Sequence, residues 1–187
     1  MTFTIVFLLA FLASFGLRHW LAQRQIRYVA NHREQVPPDF APKVTLAEHQ
    51  KAADYTIAKL KLGILENGVS AIMLIAFTLL GGLQVLNLAL LQMLGAGIPQ
   101  QIALLLSIVL ISGVIDLPFS WYKQFHLEER FGFNRMGKKL FFIDMFKGIL
   151  IGGAIGIPLL WIILSLMSKA GDFWWLWAWS VLTILAC

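Results

Sequence analysis

Histidines and carboxylates are the side chains of this 187-residue chain that are best suited to bind a metal or transfer a proton. A zinc peptidase helix of the HExxH type needs two histidines one turn apart, yet no histidine here has a partner four residues away. His126 precedes Glu128 and Glu129, but a catalytic zinc ion usually takes three protein ligands. Ser120 follows Asp116 without a GxSxG motif or a histidine placed to activate it. The chain by itself therefore contains no complete catalytic set.

Charged side chains also occur inside or beside apolar runs. Glu66 lies near one end of such a run, where a carboxylate is costly unless it is paired or hydrated, so it is a functional candidate. The alternative is that Glu66 lies at the membrane interface, close to Lys59 and Lys61. Asp144 and Lys147 are three residues apart, so we expect them to share a helical face and neutralise each other.

The stretch Asp116–Met136 alternates aromatic and charged side chains between two apolar runs. Aromatic rings with polar neighbours favour the bilayer interface. Pro118 predicts the end of the preceding helix, and Gly132 predicts a sharp bend. The sequence therefore predicts a loop held in one shape at the membrane surface. It is either a plain linker with interfacial aromatic residues or a structural element of a functional site.

The composition indicates a membrane protein. Hydrophobic residues make up 59% of the chain, charged residues 13%, and the mean hydropathy is +0.76, whereas about a quarter of a soluble domain is charged. The net charge of +5 does not indicate nucleic-acid binding, because thirteen of the fifteen basic residues lie in segments 18–62 and 118–139. Basic loops between apolar runs are typical of the cytoplasmic side, which places the N-terminus outside. A bacterial inner membrane is the expected location, and the single Cys187 excludes a disulfide framework.

The apolar runs predict an all-α, polytopic helical bundle with helical and aromatic-rich cytoplasmic loops. We expect about four complete spans and the start of a fifth, near residues 2–21, 64–83, 102–117, 140–167 and 173–187. Segment 84–101 predicts an outside loop or a short interfacial helix. Thr45 and Glu48 form a capping box that predicts a helix start at Leu46. The fifth run is too short to cross a bilayer, so we expect the chain to be a piece of a longer protein.

Two ordered motifs resemble a known family. The first is Val36-Pro37-Pro38-Asp39-Phe40, followed by Glu48-His49-Gln50-Lys51-Ala52-Ala53-Asp54-Tyr55-Thr56. The second runs from Asp116-Leu117-Pro118-Phe119-Ser120-Trp121-Tyr122 to Glu129-Arg130-Phe131-Gly132-Phe133-Asn134-Arg135. Their order, spacing and surrounding hydropathy resemble the N-terminal transmembrane domain of the CAAX prenyl protease 1 family, and the resemblance covers nearly the whole chain.

The resemblance implies an integral membrane zinc metalloendopeptidase. Such proteins remove a C-terminal tripeptide after a prenylated cysteine, and some act in membrane protein quality control. Their zinc is held by an HExxH and a glutamate C-terminal to the matched region, so this chain is expected to bind no metal itself. Its implied role is to wall an intramembrane chamber, in contact with lipid, with the zinc domain and with peptide or prenylated-protein substrates. Structural or interface candidates are Glu66, Asp116, Trp121, Glu129, Arg130, Asn134, Asp144 and Lys147.

Two other hypotheses remain open at the level of sequence. A non-enzymatic membrane scaffold or assembly module would reuse the same fold without a zinc domain. An intramembrane transporter is suggested only by Glu66, Asp144 and Lys147, and it would require an internal repeat that the sequence does not show.

Overall fold

A computed structural model describes residues 2–169 and 171–186, which are mostly helical and contain no strand. A short 3-10 turn, Gly171–Phe173, precedes the last helix. The helices in chain order are α1 Thr2–Asn31, α2 Leu46–Thr78, α3 Gly82–Leu94, α4 Ile98–Tyr122, α5 Glu128–Arg130, α6 Lys138–Lys169 and α7 Trp174–Ala186. One π turn, Lys123–Leu127, joins α4 to α5.

Four of these helical segments are long and apolar enough to cross a membrane. They are Thr2–Asn31, Leu46–Thr78, Ile98–Arg130 and Lys138–Lys169. Their apolar side chains are widely exposed, for example Val109 at 66% and Ile151 at 60%. Water would solvate so much apolar surface poorly, whereas lipid solvates it well. The predicted all-α, multi-pass membrane fold is therefore confirmed.

The start of α2 is fixed by side-chain capping. The Glu48 backbone N–H donates to Thr45 Oγ1 at 3.3 Å, and the Thr45 backbone N–H donates to Glu48 Oε2 at 2.9 Å. These two bonds satisfy groups that a helix N-terminus would otherwise leave unpaired. The predicted capping box and the predicted start at Leu46 are confirmed. Before it, Phe40 N donates to Pro37 O at 2.9 Å, in the turn that the two prolines impose.

The predicted helix end at Pro118 is wrong, because α4 passes through this residue and continues to Tyr122. Proline removes one backbone donor, and a membrane helix tolerates this loss because neighbouring groups or water can satisfy the freed carbonyl. The predicted interfacial loop is wrong over residues 116–130, because helical turns continue to Arg130. The bend at Gly132 is confirmed: its φ of 75° lies in the left-handed region that suits glycine.

The segment after α2 contains a short helix, α3, so the prediction of a helix is confirmed, whereas its position at the interface and outside stays a prediction. Two of the glycines around α3, Gly81 and Gly95, have positive φ values of 78° and 72° and allow the chain to turn. The buried Gln100 of α4 donates from Nε2 to Asn87 Oδ1 at 2.5 Å, which ties α4 to α3. Two polar side chains of segment 84–101 thus connect two helices.

The chain divides into two compact units. One contains Met1–Gly82 and Gly113–Arg135, and the other contains Leu83–Ser112 and Met136–Cys187. In the first unit, α1 packs along α2, and α2 contacts the π turn. The buried apolar residues of this unit are Ala53, Phe125, Leu127 and Phe131. In the second unit, α6 contacts α7. The limits of the predicted spans stay predictions. The helix bounds given above match these limits only approximately.

Candidate functional site

A cluster of polar and aromatic side chains joins α2 to residues 128–133, within the first compact unit. This Tyr55 cluster consists of Lys51, Tyr55, Glu128, Phe131 and Phe133. The Tyr55 hydroxyl donates to Glu128 Oε1 at 2.6 Å, across 73 positions of sequence. The Tyr55 ring meets Phe131 and Phe133 edge-on, with centroids 5.4 Å and 5.0 Å away. Lys51 Nζ lies 5.6 Å from the Phe133 ring centroid, a cation–π distance.

The π turn Lys123–Leu127 positions the carboxylate of this cluster. An inserted residue in a helix shifts the register of everything that follows, and such turns are frequent at functional sites. Phe125 and Leu127 are buried in the turn, and Glu128 follows directly. The Glu128 carbonyl then accepts from Phe133 N at 2.8 Å. The chain is therefore folded back beside Tyr55 by its own backbone bonds.

A second link lies next to the Tyr55 cluster. Arg33 donates from Nε and Nη2 to the two oxygens of Asp54 at 2.8 Å and 2.9 Å, a bidentate pair. Arg33 follows the end of α1 and Asp54 precedes Tyr55, so the pair ties α1 to α2. The hydrogen bonds to Asp54 and Glu34 raise the pKa of the Arg33 guanidinium above its usual range. The Arg33 hydrogen bond lowers the pKa of Asp54, which precedes the predicted span 64–83.

The hydrogen bond from Tyr55 to Glu128 also changes the pKa of the Tyr55 phenol, and Tyr55 likewise precedes the predicted span 64–83. It raises the pKa of Tyr55, with smaller contributions from partial burial and from the charge of Glu128. The neutral phenol is thus the form that the folded protein stabilises. Tyr55 therefore acts as a hydrogen-bond donor that holds Glu128, and it is not prepared for proton abstraction.

Several predicted interface residues lie beside this cluster. Asn134 accepts from Gln124 Nε2 at 2.7 Å, which closes the turn after α5. The Trp121 ring lies 4.4 Å from Phe125 between centroids. The Arg130 guanidinium lies 5.6 Å from the Phe131 ring centroid, and its charge helps to lower the pKa of Asp54.

The other predicted interface residues lie outside the Tyr55 cluster. Glu129 and Asp116 are exposed, and their interface roles remain predictions. Glu66 lines a cavity of about 450 Å³ together with Lys59 and Lys123, so the carboxylate has cationic neighbours. Asp144 and Lys147 both lie on α6, as predicted, but no ion pair joins them in the part of the chain that the structure describes.

These residues do not fit a zinc site. Within residues 2–169 and 171–186, no group of three or more His, Cys, Asp or Glu side chains could hold a metal ion. The His126 ring stacks on Tyr122, with centroids 5.2 Å apart, and Glu128 is held by Tyr55. The histidine and carboxylates that are adjacent in sequence are therefore used in separate contacts.

The contact between Tyr55 and Glu128 was not predicted from the sequence. The capping box places Tyr55 on α2, but no local pattern specifies a partner 73 positions away. The register of Glu128 also depends on the π turn, which no sequence pattern predicted. The one available signal was the polar, aromatic character of both motifs, which indicated surfaces that must be held in place.

The fold and this network define a multi-pass helical membrane protein with an ordered polar region beside its spans. Residues 25–187 match the family model described as "CAAX prenyl protease N-terminal, five membrane helices". The chain belongs to this family, of which it represents the N-terminal membrane portion.

Individual relatives agree with this assignment. CAAX prenyl protease 1 of Saccharomyces cerevisiae is 27% identical over 175 residues, covering 88% of this chain and 38% of the relative. The CAAX prenyl protease 1 homolog of Dictyostelium discoideum is 35% identical over 75 residues, covering 40% of this chain and 18% of the relative. The crystal structure of S. mikatae Ste24p has the same fold, with a TM-score of 0.86 at 24% identity over 95% of this chain and 42% of that one. The chain thus spans about two fifths of the length of the yeast proteins.

Proposed function

We propose that this chain forms the membrane wall of a zinc metalloendopeptidase and supports a zinc domain that follows it. The complete protein would hydrolyse a peptide bond, releasing a C-terminal tripeptide after a prenylated cysteine or acting on membrane proteins in quality control. The observation that carries the proposal is the family match over residues 25–187. The coverage of only 38% of the yeast relative supports a further domain.

The residues described above would contribute support and positioning to this activity. The Tyr55 cluster holds the turn after α5 against α2, and the Arg33–Asp54 pair ties α2 to the segment after α1. Glu129, Arg130 and the Phe133 ring remain exposed on that turn. We assign this exposed surface to contact with the zinc domain, where Glu129, Arg130 and Asn134 would pair with its polar groups. The metal would supply the activated water, and this chain would supply the wall against which the domain is held.

The orientation is part of the same proposal. Segments 18–62 and 118–139 would face the cytoplasm and the N-terminus would face outside, because basic residues are concentrated in these two segments. A bacterial inner membrane is the proposed location. The Tyr55 cluster would then lie on the cytoplasmic side, where the zinc domain is expected.

Reading the source gene beyond the codon for Cys187, followed by metal analysis of the purified full-length protein, tests the proposal. We expect an HExxH helix downstream and one zinc ion per protein. A stop codon at this point and a zinc-free protein would instead favour a membrane scaffold.

The support role has its own test in Arg130→Ala of the full-length protein. Displacement of a supporting turn should reduce peptidase activity by roughly tenfold, because small misplacements of a catalytic group are costly. Lys43→Ala removes an equal charge from an exposed position in the turn before α2, and it should leave activity unchanged. Unaltered activity and melting temperature in Arg130→Ala would show that the support role is wrong.

A further inference from the structure

A cavity of about 510 Å³ lies between α2 and the segment from Pro118 to Phe131, within the first compact unit. Its α2 wall is formed by Ala58, Lys61, Leu62 and Leu65. Their spacing of three, four and seven residues places them on a single helix face. This wall is apolar apart from Lys61.

The opposite wall is mainly aromatic and apolar. Phe119, Tyr122 and Phe131 contribute rings to it, and Pro118 lies at one end. Arg130 is the charged group of this wall, and the His126 ring is a further polar group in it. The cavity therefore combines a long apolar surface with cationic groups contributed from both sides.

The charge in this cavity has one sign. Among the described residues that line it, Lys61 and Arg130 are charged and none is acidic. Two carboxylates on the flanking elements are already engaged, Asp54 by Arg33 and Glu128 by Tyr55. Glu129 and Glu66, which adjoin lining residues in sequence, do not line the cavity themselves. Lys61 is exposed and forms no ion pair in the described part of the chain. An occupant that fits the site must bring both apolar carbon and negative charge.

We propose that this cavity binds an anionic phospholipid, with its phosphate at Lys61 and Arg130 and an acyl chain along the apolar walls. The predicted spans 64–83 and 102–117 place Leu65 and Pro118 at the edge of the hydrocarbon layer, where lipid headgroups lie. Basic pockets between membrane helices on the cytoplasmic side recognise such headgroups. The assignment rests on the orientation proposed above and shares Arg130 with the proposed domain contact, but it does not depend on peptidase activity. The test therefore varies Lys61, which the domain contact does not use.

Lipid titration of the full-length protein tests the site. The protein, purified in a neutral maltoside detergent, is mixed with dioleoyl phosphatidylglycerol or dioleoyl phosphatidylcholine, and bound lipid is counted by native mass spectrometry. Lys61→Gln should weaken phosphatidylglycerol binding about fivefold, the value of one basic residue near an anionic lipid. Lys59→Gln is the matched control: it removes the same charge two residues away, at a position that lines the cavity beside Glu66 instead.

The outcomes are distinct. Selective binding of phosphatidylglycerol that is weakened in Lys61→Gln, unchanged in Lys59→Gln and restored in Lys61→Arg supports the site. Equal effects of the two Gln variants would overturn it, since the attraction would then be a general surface charge effect. Competition by inorganic phosphate or displacement by a farnesylated peptide at equimolar amounts would also overturn it, in favour of a free anion or a substrate. The melting temperature of each variant in phosphatidylcholine alone confirms that folding is intact.

Discussion

Replacing Tyr55 by Phe tests the contact that organises the candidate site. The change removes one hydroxyl and keeps the ring between Phe131 and Phe133. A hydrogen bond to a charged group contributes about 1.5–3 kcal/mol, and partial exposure of this pair lowers the expected loss to about 1 kcal/mol. A loss of 1 kcal/mol lowers the melting temperature of a 150–250-residue protein by about 2–4 °C, and the shift in the longer full-length protein should be smaller. The loss should be local, and it should release the turn after α5.

The assay is thermal unfolding of the full-length protein in mild detergent, combined with trypsin cleavage after Arg130 and Arg135. Tyr55→Phe should melt earlier and be cut faster at these two sites. Glu128→Gln and the double variant complete a thermodynamic cycle with an expected coupling of about 1 kcal/mol. Tyr28→Phe is the matched control, because its phenol is exposed and makes no hydrogen bond among the described residues. Additive single effects, or an equal loss in the control, would refute the assigned contact.

Three further predictions concern the same network. Phe131→Ala should cost about 3 kcal/mol because its ring is only 7% exposed, whereas the half-exposed Phe133→Ala should cost clearly less, as measured by melting temperature. Gly132→Ala should cost about 1–2 kcal/mol because its φ is 75°, and Gly137→Ala, which has open space around the added carbon, should cost less; similar losses at both would disprove the strain argument. Asp54 has a lowered pKa in the folded state, so its stabilising effect is present above the ordinary Asp range and is lost as the pH falls through the lowered value. The melting-temperature difference between wild type and Asp54→Asn should therefore shrink as the pH falls below about 4, and a pH-independent difference would contradict this role.

The local features of the fold could be predicted because their causes are local. The capping box at Thr45 and Glu48 specified the start of α2 through neighbouring backbone groups. Gly132 specified the bend because few other residues adopt its backbone conformation. The long apolar runs specified membrane helices through composition alone.

The features that were predicted wrongly or not at all depend on surroundings that a single sequence does not show. Pro118 predicted a helix end, but a membrane helix tolerates a proline where neighbouring groups or water satisfy the freed carbonyl. The π turn Lys123–Leu127 sets the register of Glu128 and leaves no signature in the hydrophobic pattern. The pairing of Glu128 with Tyr55 spans 73 positions and follows from packing, so neither motif could reveal its partner.

The most direct test of the proposed function is cleavage of a farnesylated peptide with a CAAX terminus by the full-length protein in lipid vesicles. Release of the C-terminal tripeptide is followed by mass spectrometry before and after zinc is removed with a chelator. We predict release that stops on chelation and resumes when zinc is restored. A folded, vesicle-inserted protein that binds no zinc and releases no tripeptide would contradict the peptidase assignment and leave a membrane scaffold as the function.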